Sequence, residues 1–451
     1  MATRDLHMEE DEILFKPIES SGKNFYLTAS ILGVLVILGV IAYIYQYRNG
    51  LAVTGLSRQV FWGVYITNFV FFIGISHAGT LISAILRIVK AEWRLPVTRA
   101  AELITVLVLL FGVGSIIIDL GRPDRMFNLV RHAQFGSPLL WDVTSVAIYF
   151  TASSFFLYIA LIPDIALLRD RGNSPKWLYQ ILSAGFTGTA KQLRVLDILI
   201  LIMAIAVIPI AVSVHTVVSF VFAMTIQPMW HSAIFGPYFV VGAIFSGVAA
   251  LIIAMYLIRK FYNLGDYLKH KQFNNLGLLL LVMACFWFYF TLAEYLTTFY
   301  GNEPAQMTVF WSKFTGEFAP LFWAMFIFCF VIPFPILAIN RTRTILGTTI
   351  ASISVVIGMW LERYVIVVPT LTAQRLASDL PTYMPTWVEW SILAGSAAFF
   401  CLLYVLFSKF FPIIAIWEIR EDREKKREEI IEYVRERLPE KGEELEEVLP
   451  E

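Results

Sequence analysis

Apolar runs longer than about 18 residues recur along this chain, and nothing else in it restricts the fold as strongly. A run of that length crosses the hydrocarbon core of a bilayer as a helix. No water is available there to bare backbone groups, so each segment satisfies its own by helix formation. Composition agrees: 58% of the 451 residues are hydrophobic and only 16% are charged. Ten membrane helices are expected, at about 25–47, 60–88, 98–118, 141–168, 194–223, 232–260, 274–299, 317–340, 343–366 and 387–408. The fold class is an all-α integral membrane protein. Helices 2–5 (about 60–223) and 6–9 (about 232–366) read as two four-helix bundles, with helices 1 and 10 added. Residues 1–24 form an amino-terminal segment and 409–451 a charged tail around the membrane domain 25–408.

Basic residues give the orientation. Of the 35 Lys and Arg, 27 fall on the side of the two termini and 8 on the other, and the excess marks the cytoplasmic face. Both termini are then cytoplasmic in a bacterial inner membrane. Met1 to Lys23 is acidic and polar, so it does not read as a cleavable signal. Trp62, Trp141, Trp230, Trp311, Trp387 and Trp390 fit an interfacial belt on the outer side. The connector 169–193 has room for a short amphipathic helix around Trp177 to Phe186. Glu418 to Leu438 pairs acids with bases at helical spacing and reads as a solvated helix, or alternatively as a docking surface.

Polar groups are scarce in such a chain, so their clustering is informative. Asp119, Arg122, Asp124, Arg125, Arg131 and His132 lie between two apolar segments, and Asp142 opens the second. On the charge count this loop faces outward. Two readings stand side by side. The charges pair with one another at the surface, His132 is an ordinary loop histidine and Asp142 caps a helix. Otherwise the cluster rims a pocket in which Asp142 accepts a proton.

Ionisable residues inside membrane helices are costly and point into the bundle or a wet cavity. His77, in GISHAGTLISAIL, serves equally as an interhelical hydrogen-bonding group or a proton carrier. His215 lies in the outer half of helix 5. With His77, Asp164 and Asp197 make an inward proton route; the simpler alternative pairs Asp164 with Arg169 and Asp197 with Arg194. Glu294, Glu317 and the Glu362–Arg363 pair mark the outer ends of helices 7, 8 and 9.

Cys285, Cys329 and Cys401 each stand alone in apolar sequence. With no CxxC or CxxCH, the chain has no ligand set for an iron–sulfur cluster or c-type haem of its own. A formal net charge of zero argues against nucleic acid. The residues alone leave a redox subunit, a transporter and a structural partner open. The lack of paired Gly/Pro breaks at matching places in the helices counts against the transporter.

Residue identity adds a resemblance. HAGTLISAILRIVKAEWRLPVTRAAE (His77–Glu102), DLGRPDRMFNLV (Asp119–Val130), SPLLWDV (Ser137–Val143), AEYLTTFYGNEPAQ (Ala293–Gln306), INRTRT (Ile339–Thr344) and MWLERYVIVVPTL (Met359–Leu371) are similar to the NrfD/polysulfide reductase membrane subunits. Within that family the chain resembles the quinol-oxidising ActC branch of bacterial alternative complex III. The resemblance implies a quinol or menaquinol site near the periplasmic face, with no haem or iron–sulfur cluster in this chain. It implies a periplasmic iron–sulfur subunit, haem c subunits and a homologous membrane subunit as partners. Carried onto this sequence, it assigns proton acceptance to Asp142, His132 and His77. Asp119, Arg122 and His215 then bind the quinol, and Arg122 holds Asp119 or another carboxylate in place. Phe61, Tyr65 and Phe135 line the pocket. A quinone-reducing anchor of a polysulfide- or nitrite-type reductase is the alternative on the same fold.

Overall fold

The computed structural model describes residues 14–19, 22–373 and 383–437, and among these ten helices are long and apolar enough to cross a membrane. They are α1 (Lys23–Asn49), α2 (Val64–Ile88), α3 (Leu95–Asp119), α4 (Pro138–Asp170), α5 (Ala190–Ala223), α6 (Phe235–Phe261), α7 (His270–Gly301), α8 (Ala319–Ala338), α9 (Ile345–Thr372) and α10 (Trp387–Phe410). A last helix, α11 (Ile416–Arg437), follows. No strand occurs among the described residues. The all-α class and the ten spans are as the apolar runs require. The rest of the amino-terminal segment and of the charged tail lies outside the described residues.

The most buried span is α2, which packs on α3, α5, α6 and α9. Small and hydroxyl side chains permit this. Ser76, Thr80 and Ser83 recur every three or four residues, on the faces that pack, and all are fully buried. Elsewhere α1 leans on α10 where Gly39 meets Gly395; a Cβ on Gly39 would stand 2.8 Å from the Gly395 Cα. Most of α1 is exposed, as a bilayer-facing helix is.

Several boundaries differ from the sequence expectation, and each has a local cause. Pro138 starts α4 at a position where its missing N–H costs nothing. α8 is not continuous: Pro333 and Pro335 break its hydrogen-bond ladder, and a π turn over Ile327–Val331 takes up the mismatch. α9 runs on to Thr372, so Glu362 and Arg363 lie inside the protein, each 1% exposed, and not at a helix end. The connector after α4 does hold a short helix, Lys176–Leu182, anchored by Tyr179, whose hydroxyl donates to the Phe410 carbonyl at 3.0 Å. Trp230 is buried, and its indole N–H donates to the Ile366 carbonyl at 2.7 Å; it is a packing residue and not part of a surface belt.

Candidate functional site

Alternation of the spans gives the molecule two ends, one carrying Asp119 and Asp142, the other carrying the start of α11. At the Asp142 end, α3 finishes at Asp119 because Gly121 adopts a left-handed φ of 62° and Pro123 follows. The turn of the GRP motif is thus a helix stop. Just before it, the Gln46 amide of α1 donates to the Ile118 carbonyl at 3.1 Å and accepts from the Tyr65 hydroxyl of α2 at 2.5 Å. Glu389, at the start of α10, lies within electrostatic reach of Asp119. Its carboxylate is saturated: it accepts from the Tyr383 hydroxyl at 2.5 Å and from the Gly55 and Thr386 amides at 2.8 and 2.9 Å. Asp119 differs, since its Oδ1 is buried with no partner among the described residues.

Asp142 is 5% exposed and its Oδ1 also has no partner among the described residues. It is not a helix cap. The cap position belongs to Ser137, and Asp142 lies in the second turn, where backbone N–H groups are already used. Two carboxylates with a buried free oxygen therefore sit at one end of the bundle, on adjacent helices. Tyr65 is buried beside the first.

Four of the predicted residues do not join them. Arg122 forms a two-pronged pair with Asp124, both contacts at 3.1 Å and both residues exposed, instead of holding Asp119. That hydrogen bond holds the Asp124 carboxyl below its ordinary range. His132 is exposed on the loop. Phe135 is 84% exposed and touches the site only through its carbonyl, which accepts from the Trp141 indole at 2.6 Å. Phe61 is 42% exposed and stacks edge-on against Trp62. These four are surface residues of this chain, and nothing among the described residues encloses them.

His77 and His215 meet each other deep between α2 and α5, with ring centroids 3.8 Å apart and both fully buried. His215 thus belongs to the interior and not to the outer pocket. His77 stands between two carbonyls, Ala211 at 2.5 Å from Nε2 and Ile73 at 3.2 Å from Nδ1. A neutral imidazole donates to only one of them. Both nitrogens of His215 lack partners among the described residues. Tyr149 lies against His77; its hydroxyl donates to the Ser76 carbonyl at 3.0 Å and receives Thr80 at 2.5 Å.

At the other end, Ser83 donates to Glu102 at 2.5 Å, and Arg87 lies 3.7 Å from the same carboxylate. Glu418 of α11 completes the group, 2.9 Å from Arg87 and 2.6 Å from Arg94. The first turn of α11 is thus buried, contrary to a wholly solvated tail helix. Asp164 does not pair with Arg169, which binds Asp170 at 2.8 Å. It pairs with Arg99 at 2.7 Å and accepts from the Trp417 amide at 3.0 Å. Asp197 is exposed, within electrostatic reach of Glu421 and Lys425. His77 bonds to Ala211 and Ile73, and Asp164 to Arg99 and Trp417, so these contacts do not join His77, Asp164 and Asp197 into a file.

Sequence reasoning missed Gln46, Glu102 and Glu389. Only Glu389 carried a signal: Thr386-x-x-Glu389 is a capping box, and the box is formed. INRTRT has a structural explanation, because Arg343 donates to Asn274 and to the Leu337 carbonyl, each at 2.8 Å, fastening the α8–α9 turn to α7.

The family model described as polysulphide reductase, NrfD, matches residues 52–374, which contain the Asp119–Asp142 region and both histidines. The chain is 25% identical over 431 residues to the Hdr-like menaquinol oxidoreductase integral membrane subunit of Archaeoglobus fulgidus, covering 90% of this chain and 99% of that one. It is 24% identical over 412 residues to a selenate reductase subunit of Mesobacillus selenatarsenatis, 87% of this chain and 94% of that one. A putative dimethyl sulfoxide reductase membrane subunit of Halobacterium salinarum is 26% identical over 290 residues, which span 63% of each protein.

Proposed function

The chain belongs to the polysulphide reductase NrfD family, and from that membership we propose that it is the quinol-binding membrane subunit of a respiratory oxidoreductase of the alternative complex III type. The relative named as part of a menaquinol oxidoreductase, aligned over nearly its whole length, supports menaquinol as the substrate. The observation that carries the reading is the pair of buried carboxylate oxygens without partners, on Asp119 and Asp142, at one end of neighbouring helices. Oxidation of a quinol releases two electrons and two protons. A carboxylate within about 2.6–3.2 Å of a head-group hydroxyl accepts the proton. Tyr65, tied to Gln46, fixes the wall beside Asp119. His132, Arg122, Phe61 and Phe135 face outward, where a partner protein docks and closes the pocket.

The electrons pass to an iron–sulfur protein seated on the Asp142 end, and onward to haem c subunits beside a second membrane protein of the same family. The Lys/Arg distribution supports a periplasmic position for this end and a cytoplasmic one for the tail. Proton translocation is the finer part of the reading. It is supported by the buried polar line His77, Thr80, Ser83 and Arg87 on α2, which leads towards the tail end through Glu102. The alternative, a quinone-reducing anchor, is supported by the selenate and dimethyl sulfoxide reductase relatives. Co-purification of haem c subunits with this chain separates the two.

The direct test is a photoreactive menaquinone analogue on the purified complex. Crosslinks on peptides containing Tyr65, Asp119 or Asp142, competed away by menaquinone, are the expected result. Crosslinks confined to other proteins of the complex would overturn it.

A further inference from the structure

The tail end of the molecule carries a buried carboxylate that quinol oxidation leaves unused. α2 and α3 approach closely at Gly79, where a Cβ would collide with the Ala101 carbonyl and the Thr105 hydroxyl. One turn further along α2, Ser83 donates to Glu102 Oε1 at 2.5 Å, and Arg87 stands 3.7 Å from the same oxygen. Glu102 is 1% exposed, and its Oε2 is buried with no hydrogen-bond partner among the described residues. Thr80, one turn from Ser83, meets the Tyr149 hydroxyl at 2.5 Å, so hydroxyl groups lead from Glu102 towards His77.

The start of α11 lies over this carboxylate. Ile414, Ala415 and Ile416 are buried. Glu418 accepts from Arg87 at 2.9 Å and from Arg94 at 2.6 Å, so Arg87 is shared between Glu102 on the span and Glu418 on the tail. Trp417 fastens the same turn to α4: its amide donates to Asp164 at 3.0 Å and its indole N–H to the Ala160 carbonyl at 3.1 Å. A buried carboxylate oxygen without a donor is costly. A proton from water, bonded to Oε2, turns the carboxylate into a neutral acid, and the same bond breaks when the proton leaves. We propose that Glu102 is a proton-exchange carboxylate at the tail end and that the first turn of α11 is the stopper controlling water's access to it. Its use in the complex rests on the proton-translocation reading, but access to Glu102 is measurable without quinol.

The test treats the purified full-length chain in detergent with a water-soluble carbodiimide and an amine. These amidate only a protonated carboxyl reached from water. Mass spectrometry reads the rate at Glu102 against the exposed Asp170, and the wild type is expected to label far more slowly at Glu102. Glu418→Gln takes the carboxylate from Arg94, and Trp417→Phe takes the indole donor from Ala160. Each should raise the rate at Glu102 about tenfold and leave that at Asp142, at the other end, unchanged. A wild type labelled at Glu102 as fast as at Asp170 overturns the proposal. So do variants labelled at the wild-type rate, or a rise shared by Asp142. In proteoliposomes under an imposed pH difference, the same variants should leak protons faster, and Glu102→Gln added to them should restore the wild-type rate. A leak that Glu102→Gln leaves in place also overturns the proposal. If labelling rises without any leak, the stopper over Glu102 stands and the proton-translocation reading fails. Either variant carries the test alone should the other not fold.

Discussion

The imidazoles of His77 on α2 and His215 on α5 lie 3.8 Å apart between centroids, and among the described residues only His77 of the two has hydrogen-bond partners. This asymmetry separates their roles. His77 ties α2 to α5 through the Ala211 carbonyl. His77→Leu leaves that carbonyl bare in the interior, a loss of about 1–3 kcal/mol. His215→Leu loses no such bond and replaces a buried polar ring by an apolar group. Thermal unfolding of the purified chain should therefore drop clearly for the first and stay or rise for the second. Equal losses would show that His215 is held by partners such as bound water.

Asp142 is the residue whose removal should stop chemistry without disturbing structure. Asp142→Asn keeps the shape and gives up no partner of Oδ1, because there is none among the described residues. As the proton acceptor it is expected to contribute at least about 100-fold to turnover. Quinol oxidation by the assembled complex should fall by that factor while the set of co-purifying proteins and the unfolding temperature hold. Unchanged turnover would leave this chain a purely structural member of its complex.

Glu418 locks the tail to the membrane domain. Burial alone would push its carboxyl up, but Arg87 and Arg94 beside it hold it below the ordinary carboxylate value of 4.5. A depressed folded-state value contributes stability above the unfolded value, and that contribution is lost as pH falls through the folded one. Glu418→Gln takes the carboxylate from Arg94 and leaves Arg87 with Glu102 alone, at a cost of about 2–4 kcal/mol after allowing for their partial exposure. The stability gap between wild type and variant should be full at pH 6–7 and shrink below about pH 4.5. A gap constant down to pH 3 contradicts the pairing.

Arg99 and Asp164, each 1% exposed, form a fully buried ion pair. Asp164→Asn removes one charge and leaves the other, which costs about 3–5 kcal/mol; replacing both by apolar residues of similar volume is often neutral. In a double-mutant cycle, Arg99→Met with Asp164→Leu should recover most of the loss caused by Asp164→Asn. A double variant as unstable as the single one would mean that the Trp417 amide contact dominates.

The spans were legible because a bilayer dictates their length and hydropathy, whatever packs beside them. Partner choice was not, because it depends on which helices neighbour one another. Arg169 is the near neighbour of Asp164 in sequence, but Arg99 reaches it from α3. Arg122 is three residues from Asp119, yet Asp124 is closer and free in solvent. Asp142 drew attention as a lone acid at a helix start. What set it apart from a cap was the position of Pro138, which moved the start of α4 back. Gln46 is one amide in an apolar run, and nothing in the sequence marks it as the link between α1, α2 and α3.

Lys313, on the short helix Pro304–Phe314 after α7 and only 3% exposed, gives the remaining prediction, one of stability. Its ordinary value is 10.5 and burial lowers it to about 8 in the folded chain. Between these values the unfolded chain holds a proton that the folded chain has released. Stability therefore rises with pH across that interval, and below about pH 8 the folded chain bears the burden of a charged, buried ammonium. Lys313→Met removes the group from both states. The variant should unfold at higher temperature than the wild type at pH 7, with the difference closing as pH approaches 10. If Lys313→Met is instead the less stable at pH 7, the ammonium is held by a favourable contact.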